Sequence, residues 1–416
     1  MFKNIFIAFV FLIISAVSLA QSEKEIAPPY NIKTVSFVIN GQNSAPLFRL
    51  NDAFQLQFDD LYGDEANYYY QIVHCDYDWK KSQLSPAEYI QGFDDQRIQE
   101  YYNSFNTLQI YSHYKLSFPN KFTRFLVSGN YILKIVNEAK EVVFSRKFVI
   151  YEDLVSVPIQ VKRARNLKNI EGKQNLDFAI KSPTIQFQSP LQNIKISILK
   201  NDQFNFAINN VKPMYTIGND LIYKYDAETQ FWAGNEFLFF ENKNIQAAGN
   251  NVAFIDSKGV YNSHLYTNNA RANNIYTYYP DINGNFVVKN INAENNELEA
   301  DYAWVYFSLS APAYFGKSDI YVTGMFNNFA LNAENKMDYN KDKAIYEKAI
   351  MIKQGFTNFQ YTIADSKGVV DEENNLDGNF WQTENNYSIL VYYRENGQRY
   401  DRIIGKGIAT SVDIIN

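Results

Sequence analysis

The stretch QIVHCDYDWKKS, residues 71–82, concentrates side chains that can do chemistry. It places His74 beside Cys75, the only cysteine of the chain, and two aspartates and Trp79 follow within four positions. A cysteine with a neighbouring histidine can act as a nucleophile with its base, and histidine, cysteine and aspartate are also zinc ligands. The stretch therefore raises two chemical hypotheses, a thiol nucleophile and a metal site.

The predicted secondary structure argues against both hypotheses. The residues around Cys75 read as a β-strand, in which neighbouring side chains point to opposite faces, so that His74 and Cys75 cannot meet. A zinc site needs three or four ligands at paired spacings, and the other histidines, His113 and His264, lie in no such pattern. We expect Cys75 in the core and Trp79 over the sheet edge at the exit turn.

Other catalytic patterns are equally weak in this sequence. Adjacent carboxylates occur at residues 59–60, 94–95 and 372–373, but neighbouring acids in turns are usually solvated, and nothing places two of them across a cleft. There is no glycine-rich phosphate loop and no nucleophile elbow. We expect no catalytic residue, no bound metal and no cofactor, and hence a protein that is not an enzyme.

The first 20 residues, MFKNIFIAFVFLIISAVSLA, are typical of a secretory signal peptide. They contain Lys3, a long apolar run, and small residues before an expected cleavage site after Ala20. The next residue is Gln21, so no cysteine is available for a lipid anchor. We expect an exported, soluble chain in which residues 21–29 form a short linker. No later stretch has the eighteen apolar residues of a spanning helix, but the weak signal of a membrane β-barrel leaves that alternative open.

Composition favours strands and disfavours nucleic acid. The formal net charge is −6, with acidic and basic residues mixed along the chain, so a phosphate backbone is not an expected partner. The 32 Tyr and 32 Phe residues suit β-structure. Because one cysteine cannot form an intrachain disulfide, stability must come from hydrophobic cores.

Short alternating segments separated by turn residues predict an all-β fold of tandem antiparallel β-sandwiches of the immunoglobulin-like kind. We place an N-terminal sandwich at residues 30–152, a middle β domain at 153–296 and a C-terminal sandwich at 297–416. One helical turn is expected at Ser85-Pro86-Ala87-Glu88, where serine caps, proline fits the first helical position and glutamate lies three residues after the cap.

The C-terminal block contains YVTGMFNNFALNAENKM, residues 321–337, followed by a hairpin. This region resembles the glycogen-binding type of early-set immunoglobulin-like module, in which a tryptophan stacks on a sugar and a lysine donates to its hydroxyls. Here Phe329 and Thr362 stand at those two positions, which favours a sandwich without a sugar site. The resemblance implies an early-set-like fold. It leaves a carbohydrate-binding module at the cell envelope as the alternative function, with a glycan site at Phe326, Phe329 and Tyr361.

Several longer strings are similar to type IX secretion system plug proteins across nearly the whole mature chain. They are YYYQIVHCDYDWKKSQLSPAEYIQGF, SFNTLQIYSHYKLSFPN, FWAGNEFLFFENKNI, YYPDINGNFV and DGNFWQTENNYSILVYYRENGQRYDRIIGKG. The resemblance implies a periplasmic protein at the inner face of the outer membrane. It would dock on the very large translocon barrel and occlude its periplasmic opening when no cargo is engaged. That barrel would be its partner and its only contact with the membrane, and no small-molecule substrate is expected.

A docking surface on such a partner should combine exposed aromatic residues with arginines, the types that dominate interface energetics. The closing hairpin is the best candidate, and strand alternation puts Tyr392 and Arg394 on one face. The expected partner-binding residues are Tyr392, Arg394, Arg399, Tyr400 and Arg402, with Trp79 as a further candidate. The alternative is that these side chains form cross-strand pairs that support the sheet.

Overall fold

A computed structural model describes residues 22–311 and 318–414, so the expected signal peptide at residues 1–20 lies outside the described residues. Within them the chain is all-β, with three β-sandwiches in tandem, which confirms the fold class that the sequence predicts. Most strand pairs are antiparallel. Among the described residues, three strand pairs are parallel: β3 with β12, β22 with β25, and β23 with β25.

The first sandwich contains strands β1 to β12. One sheet has the order β2-β1-β4-β9-β8, the other has the order β3-β12-β11-β5-β7, and β6 pairs with β10. Its core is aromatic, with the rings of Phe48 and Phe54 stacked at a centroid distance of 3.8 Å. The strands are β1 Ile32–Ile39, β2 Gln42–Asn43, β3 Leu47–Arg49, β4 Phe54–Asp60, β5 Tyr69–Cys75, β6 Ile90–Gly92, β7 Gln96–Arg97, β8 Glu100–Asn103, β9 Ser112–Phe118, β10 Thr123–Phe125, β11 Gly129–Val136 and β12 Val142–Tyr151.

The expected helical turn forms as helix α1, Pro86–Tyr89, with Ser85 at its N-cap. The Glu88 carboxylate accepts hydrogen bonds from the Ser85 backbone N–H at 2.8 Å and from the Ser85 hydroxyl at 2.9 Å. The local sequence alone therefore predicted this element correctly, because its stabilising contacts lie within one turn.

The middle sandwich pairs a sheet of order β13-β14-β18-β17, with β19 also on β14, against a sheet of order β16-β15-β30-β31. Its strands are β13 Ile159–Arg163, β14 Lys173–Ile180, β15 Ile194–Lys200, β16 Ile208–Asn209, β17 Tyr215–Ile217, β18 Asp220–Tyr223, β19 Gln230–Trp232, β30 Asn386–Tyr393 and β31 Arg402–Thr410. Helix α2, Pro190–Asn193, precedes β15. Two short 3-10 helices belong to this part of the chain, Phe204–Phe206 and Ser411–Asp413.

The third sandwich pairs the strands around β29 against a sheet of order β21-β22-β25-β28-β27. Its strands are β20 Leu238–Glu241, β21 Val252–Lys258, β22 Val260–Leu265, β23 Asn268–Asn269, β24 Phe286–Val288, β25 Tyr302–Ser310, β26 Asp319–Thr323, β27 Asp338–Asn340, β28 Ile345–Lys353 and β29 Gly355–Ala364. Helix α3, Asn296–Glu299, precedes β25, and a 3-10 helix spans Met325–Asn327.

The strands do not follow the predicted boundary at residue 297. β30 and β31 lie in the predicted C-terminal block, yet β30 pairs with β15 of the middle sandwich, with Ile389 opposite Ile198. Conversely, β20 lies in the predicted middle block but pairs with β29, and Phe240 is in the third core. Strand pairing is decided by contacts far apart in sequence, so local patterns locate the strands without assigning them to a sheet.

The interleaving makes a specific prediction for a chain that ends at residue 296. Its middle sandwich should not fold, because the core loses Tyr387, Ile389 and Val391 of β30 and Ile404 of β31. Nuclear magnetic resonance should show dispersed amide signals for the first sandwich alone, matching those of a fragment of residues 30–152. A second dispersed set from residues 159–232 would contradict the observed pairing.

Candidate functional site

His74 and Cys75 point to opposite faces of β5, as strand alternation predicts. The ring of His74 is buried, with Nδ1 2.8 Å from the Ser82 hydroxyl and Nε2 3.3 Å from the Ser128 carbonyl oxygen. Burial lowers the pKa of His74 to about 4, and burial raises the pKa of the fully buried Cys75 thiol to about 12. A neutral imidazole and a protonated thiol on separate faces are core groups here and do not form a nucleophile pair.

The turn after β5 belongs to an interface between the first and middle sandwiches. The Tyr77 backbone N–H donates to the Asp401 carboxylate at 3.0 Å, and its hydroxyl donates to the Ile196 carbonyl oxygen at 2.7 Å. The Tyr77 ring meets the Tyr392 ring edge to face at 4.8 Å. Tyr392 is only 2% exposed, and its hydroxyl donates to the Asn130 side chain at 2.8 Å.

Arg394 ties the two sandwiches together through charge. Its Nη2 lies 2.8 Å from an Asp76 oxygen and 2.9 Å from an Asp401 oxygen, and Lys195 lies 3.4 Å from Asp401. Burial alone would lower the pKa of Arg394, but Asp401 and Asp76 hold it above its usual value. The Asp401 side chain is 2% exposed and the Arg394 side chain is 35% exposed, so salt screens this pair less than it screens a fully exposed one.

The remaining expected docking residues are used in the same interface. Arg402 pairs with Glu152 at 2.9 Å, Arg399 contacts Glu88, and the Tyr400 ring packs on His74 at 5.4 Å. Trp79 packs on Phe204 at 5.2 Å, and the Lys147 ammonium lies 4.4 Å from its ring centroid.

The expectation of a free docking face on the closing hairpin therefore needs correction. Its aromatic and arginine side chains contact the first sandwich of the same chain; Tyr392 is buried by these contacts, whereas the Arg399 side chain stays 54% exposed. Alternation correctly separates the faces of β30. Which surface covers a face depends on the tertiary arrangement, which local sequence does not reveal.

The residues considered for a glycan site are also internal. Phe329 is 7% exposed and Tyr361 is 3% exposed, while Phe326 packs against the third core. The Phe329 ring lies 6.3 Å from the Phe237 ring, and the Tyr361 hydroxyl donates to the Asn268 side chain at 2.8 Å. Stacking on a sugar needs an exposed aromatic face, which Phe329 and Tyr361 do not present and which Phe326 presents only in part.

A second interface joins the first and third sandwiches around one buried carboxylate, Asp59 of β4. It accepts from His113 Nδ1 at 2.6 Å, the Tyr302 hydroxyl at 2.6 Å and Lys353 Nζ at 2.7 Å. Lys353 Nζ also donates to the Glu297 carbonyl oxygen at 2.7 Å. Three donors from two sandwiches therefore converge on a single anion.

The electrostatics of this contact favour the charged carboxylate. The side chains of Asp59 and Lys353 are 0% and 3% exposed. Burial alone would raise the pKa of Asp59, but Lys353 and His113 together hold it below its usual value. The resulting stability is present above the ordinary carboxylate pKa and is lost as pH falls through the lower folded value.

Hydrogen bonds around Asp59 extend the interface. The Asp301 carboxylate accepts from the backbone N–H groups of Leu108 at 2.6 Å and Gln109 at 3.1 Å. The Tyr111 hydroxyl, itself buried, donates to the Ala300 carbonyl oxygen at 2.9 Å. These hydrogen bonds cross from one sandwich to the other, which makes the arrangement directional, although His113 Nε2 is buried without a hydrogen-bond partner.

Sequence reasoning missed this site by treating Asp59 and Asp60 as a solvated turn. Both are buried at the end of β4, and Asp60 accepts from the Tyr68 hydroxyl at 2.7 Å and from Asn31 at 2.8 Å. The alternating run FQLQF immediately before them was the available signal, because it indicates that the strand continues into the acidic pair.

The loop between β23 and β24 is the most exposed apolar segment near the third sandwich. Ile275 is 93% exposed, Tyr278 is 55% exposed and Tyr279 is 51% exposed. The loop is held near its middle, since the Tyr276 hydroxyl donates to the buried Glu236 carboxylate. In the sequence, Tyr278 and Tyr279 begin the string YYPDINGNFV, which contributed to the family resemblance, but they were not proposed as docking residues.

Replacing Asp59 by asparagine should lower the free energy of unfolding by about 3–5 kcal/mol, because Lys353 would stay buried without a counter-charge. Urea unfolding measures this cost, and adding Lys353→Met should recover most of it. The matched control is Asp153→Asn at the exposed pair with Arg49, where a loss below about 1 kcal/mol is expected. Equal losses at the two sites would contradict a buried interdomain charge.

Cys75 should be almost inert to a thiol reagent in the native protein. Its side chain is fully buried and its pKa is raised to about 12, so both access and thiolate are lacking. Labelling with Ellman's reagent should follow the unfolding rate and should become rapid in denaturant. Fast labelling under native conditions would mean that the first sandwich opens at β5.

The described part of the chain contains no helix long and apolar enough to cross a membrane. In residues 22–311 and 318–414, no three His, Cys, Asp or Glu side chains are grouped so that they could hold a metal ion.

Comparison with known proteins identifies the family. The family model for the first domain of type 9 secretion system plug proteins matches residues 32–152, which is the extent of the first sandwich. No curated protein matches the chain. The crystal structure of a hypothetical protein from Parabacteroides merdae ATCC 43184 is similar, with a TM-score of 0.89 and 31% sequence identity over 94% of this chain and 100% of that one. The chain therefore belongs to the type IX secretion system plug protein family.

Proposed function

We propose that this protein is a periplasmic subunit that docks on the outer-membrane translocon barrel of type IX secretion and occludes its periplasmic opening when no cargo is engaged. Family membership supports a role in type IX secretion, at the cell envelope and of a structural kind.

The observation that carries this proposal is the way the three sandwiches are tied together. A stopper works by bulk and must keep its shape against a pore. The Tyr392–Asn130 hydrogen bond and the Arg394–Asp76 pair join the first and middle sandwiches, and the Asp59–Lys353 pair joins the first and third. Such buried directional contacts favour one arrangement over many, as a rigid body requires.

The size of the chain also suits occlusion. A compact chain of 416 residues has a radius of gyration of roughly 22 Å, so it can cover an opening several nanometres wide. A wide pore would leak ions and small solutes, and a body that fits its mouth prevents this by excluded volume alone. No reacting group is needed for that task.

The docking face is proposed to include the loop between β23 and β24, since the closing hairpin is engaged inside the molecule. Its exposed side chains Ile275, Tyr278 and Tyr279 form an apolar and aromatic surface of the kind that anchors protein interfaces, and Tyr276 between them holds the loop in place. Its proposed occupant is the periplasmic rim of the barrel.

Affinity capture from solubilised outer membranes tests the proposal. The wild-type chain should bring down a barrel protein far larger than itself, and deletion of the gene should make cells permeable to solutes that are normally excluded. Ile275→Ser with Tyr279→Ser should reduce capture about tenfold or more if the loop is an anchor. Leu167→Ser, at a site that is 87% exposed on the middle sandwich, is the matched control and should leave capture unchanged.

Each part of this experiment has its own contradicting result. Recovery of the wild-type chain without a barrel, together with unchanged permeability on gene loss, would overturn the plug assignment. Normal capture by the loop variant would leave the plug assignment in place and would remove the loop from the docking face.

A further inference from the structure

Residues 22–26, expected as part of a linker, lie along the first sandwich as an extended segment that we call the N-terminal arm. The Glu23 backbone N–H donates to the Trp79 carbonyl oxygen at 2.8 Å. The Ser145 backbone N–H donates to the Ile26 carbonyl oxygen at 3.0 Å, and the Ile26 N–H donates to the Ser145 hydroxyl at 2.8 Å. Three of the contacts that hold the arm therefore use its backbone groups.

The arm completes an open sheet edge. β3 pairs with β12 only from Val149 to Tyr151, so the outward N–H groups of Ser145 and Lys147 have no strand beside them. The arm supplies the missing acceptors, with the Ile26 carbonyl for Ser145 and the Glu25 carboxylate, at 2.7 Å, for Lys147. An edge of this kind accepts an added strand.

The carboxylate of Glu25 fills a site built for an anion. Its second oxygen accepts from the Asn328 side chain at 3.1 Å. Beside it, Arg146 lines a cavity of about 50 Å³ and is 7% exposed. Among the described residues, Arg146 makes one hydrogen bond, to the Ser145 carbonyl oxygen at 3.1 Å, and no ion pair within salt-bridge distance. Arg146 and Glu25 line the same cavity without a direct ion pair, so the buried guanidinium favours an anion at the position of Glu25.

A second cation, Lys134, sets the spacing of the two carboxylates that the site binds. The Glu23 carboxylate lies 3.0 Å from Lys134 Nζ, two residues before the Glu25 contact. Lys24, between the two glutamates, is exposed. The site therefore matches an extended segment with carboxylates at alternate positions, because alternate side chains of a strand share a face.

The arm contributes little to any core. Its sequence is SEKEI, and Ile26, its single large apolar side chain, is 43% exposed. Its hold consists of hydrogen bonds and charge pairs, which another acidic segment could make equally well. Replacing the arm by another acidic segment therefore costs little net free energy.

We propose that the β12 edge, with Arg146, Asn328 and Lys134, is a docking site for an extended acidic segment of the translocon partner, and that the arm occupies it as an internal stand-in. The proposal rests on the docking role proposed above and adds a site and its chemistry. When the partner segment enters, the arm leaves, and the β12 edge gains an intermolecular strand.

Peptide exchange on the full-length chain tests the proposal. The probe is a fluorescent peptide of residues 22–29, SEKEIAPP, titrated by anisotropy. The Glu25→Lys chain, whose own arm is repelled by Arg146, should bind the peptide about tenfold or more tighter than the wild-type chain does, because the tethered arm competes. Glutamine at the position of Glu25 in the peptide should weaken binding about tenfold. Lys24→Gln in the chain is the matched control and should behave as wild type.

Folding is checked by circular dichroism, and Glu25→Gln replaces Glu25→Lys if the lysine variant unfolds. Equal peptide affinity for the wild-type and Glu25→Lys chains, or no binding to the Glu25→Lys chain, would overturn the inference.

Barrel capture tests the arm site separately from the plug role. If the wild-type chain captures the barrel and Glu25→Lys captures several-fold more, both stand. If capture is unchanged by Glu25→Lys, docking stands and the arm site falls. If the wild-type chain captures no barrel, the plug role falls and so does the partner assigned to this site.

Discussion

The structure depends on the return of strand β30 to the middle sandwich, where its two faces serve two different contacts. Ile389 and Val391 point into the middle core, while Leu390 and Tyr392 point into the cluster shared with the first sandwich. Because strand side chains alternate, one strand completes a hydrophobic core and an interdomain interface at once. Both the core and the interface are therefore completed only by the last hairpin, which follows the strands of the third sandwich in the sequence.

The contact between the first and third sandwiches follows a different physical principle. There the tie is a buried charge, Asp59, surrounded by donors from both sides. Replacing such a pair by apolar groups is often no less stable, so its advantage here is specificity, since only one relative placement satisfies all the donors. For the proposed role of filling an opening, that directional control matters more than added stability.

The sequence was sufficient to predict those features of the structure whose determining contacts are local. It predicted the all-β class, the capped turn at Ser85, and the opposite placement of His74 and Cys75 on β5. It was insufficient where a face or an edge is covered by a distant segment. The closing hairpin was expected to face a partner, and Phe329 and Tyr361 were considered for a glycan, yet each is covered by residues of the same chain. Asp59 and the arm were missed for the same reason, since their partners lie in other sandwiches or on a distant strand.

The most direct measurement of the central claim is a cryo-electron microscopy reconstruction of the complex captured from outer membranes. The account predicts all three sandwiches at the periplasmic mouth of the barrel in their present relative arrangement, with the Asp59–Lys353 and Tyr392–Asn130 contacts intact and the pore closed. A reconstruction with the sandwiches separated from one another, or with this protein bound beside an open pore, would contradict it.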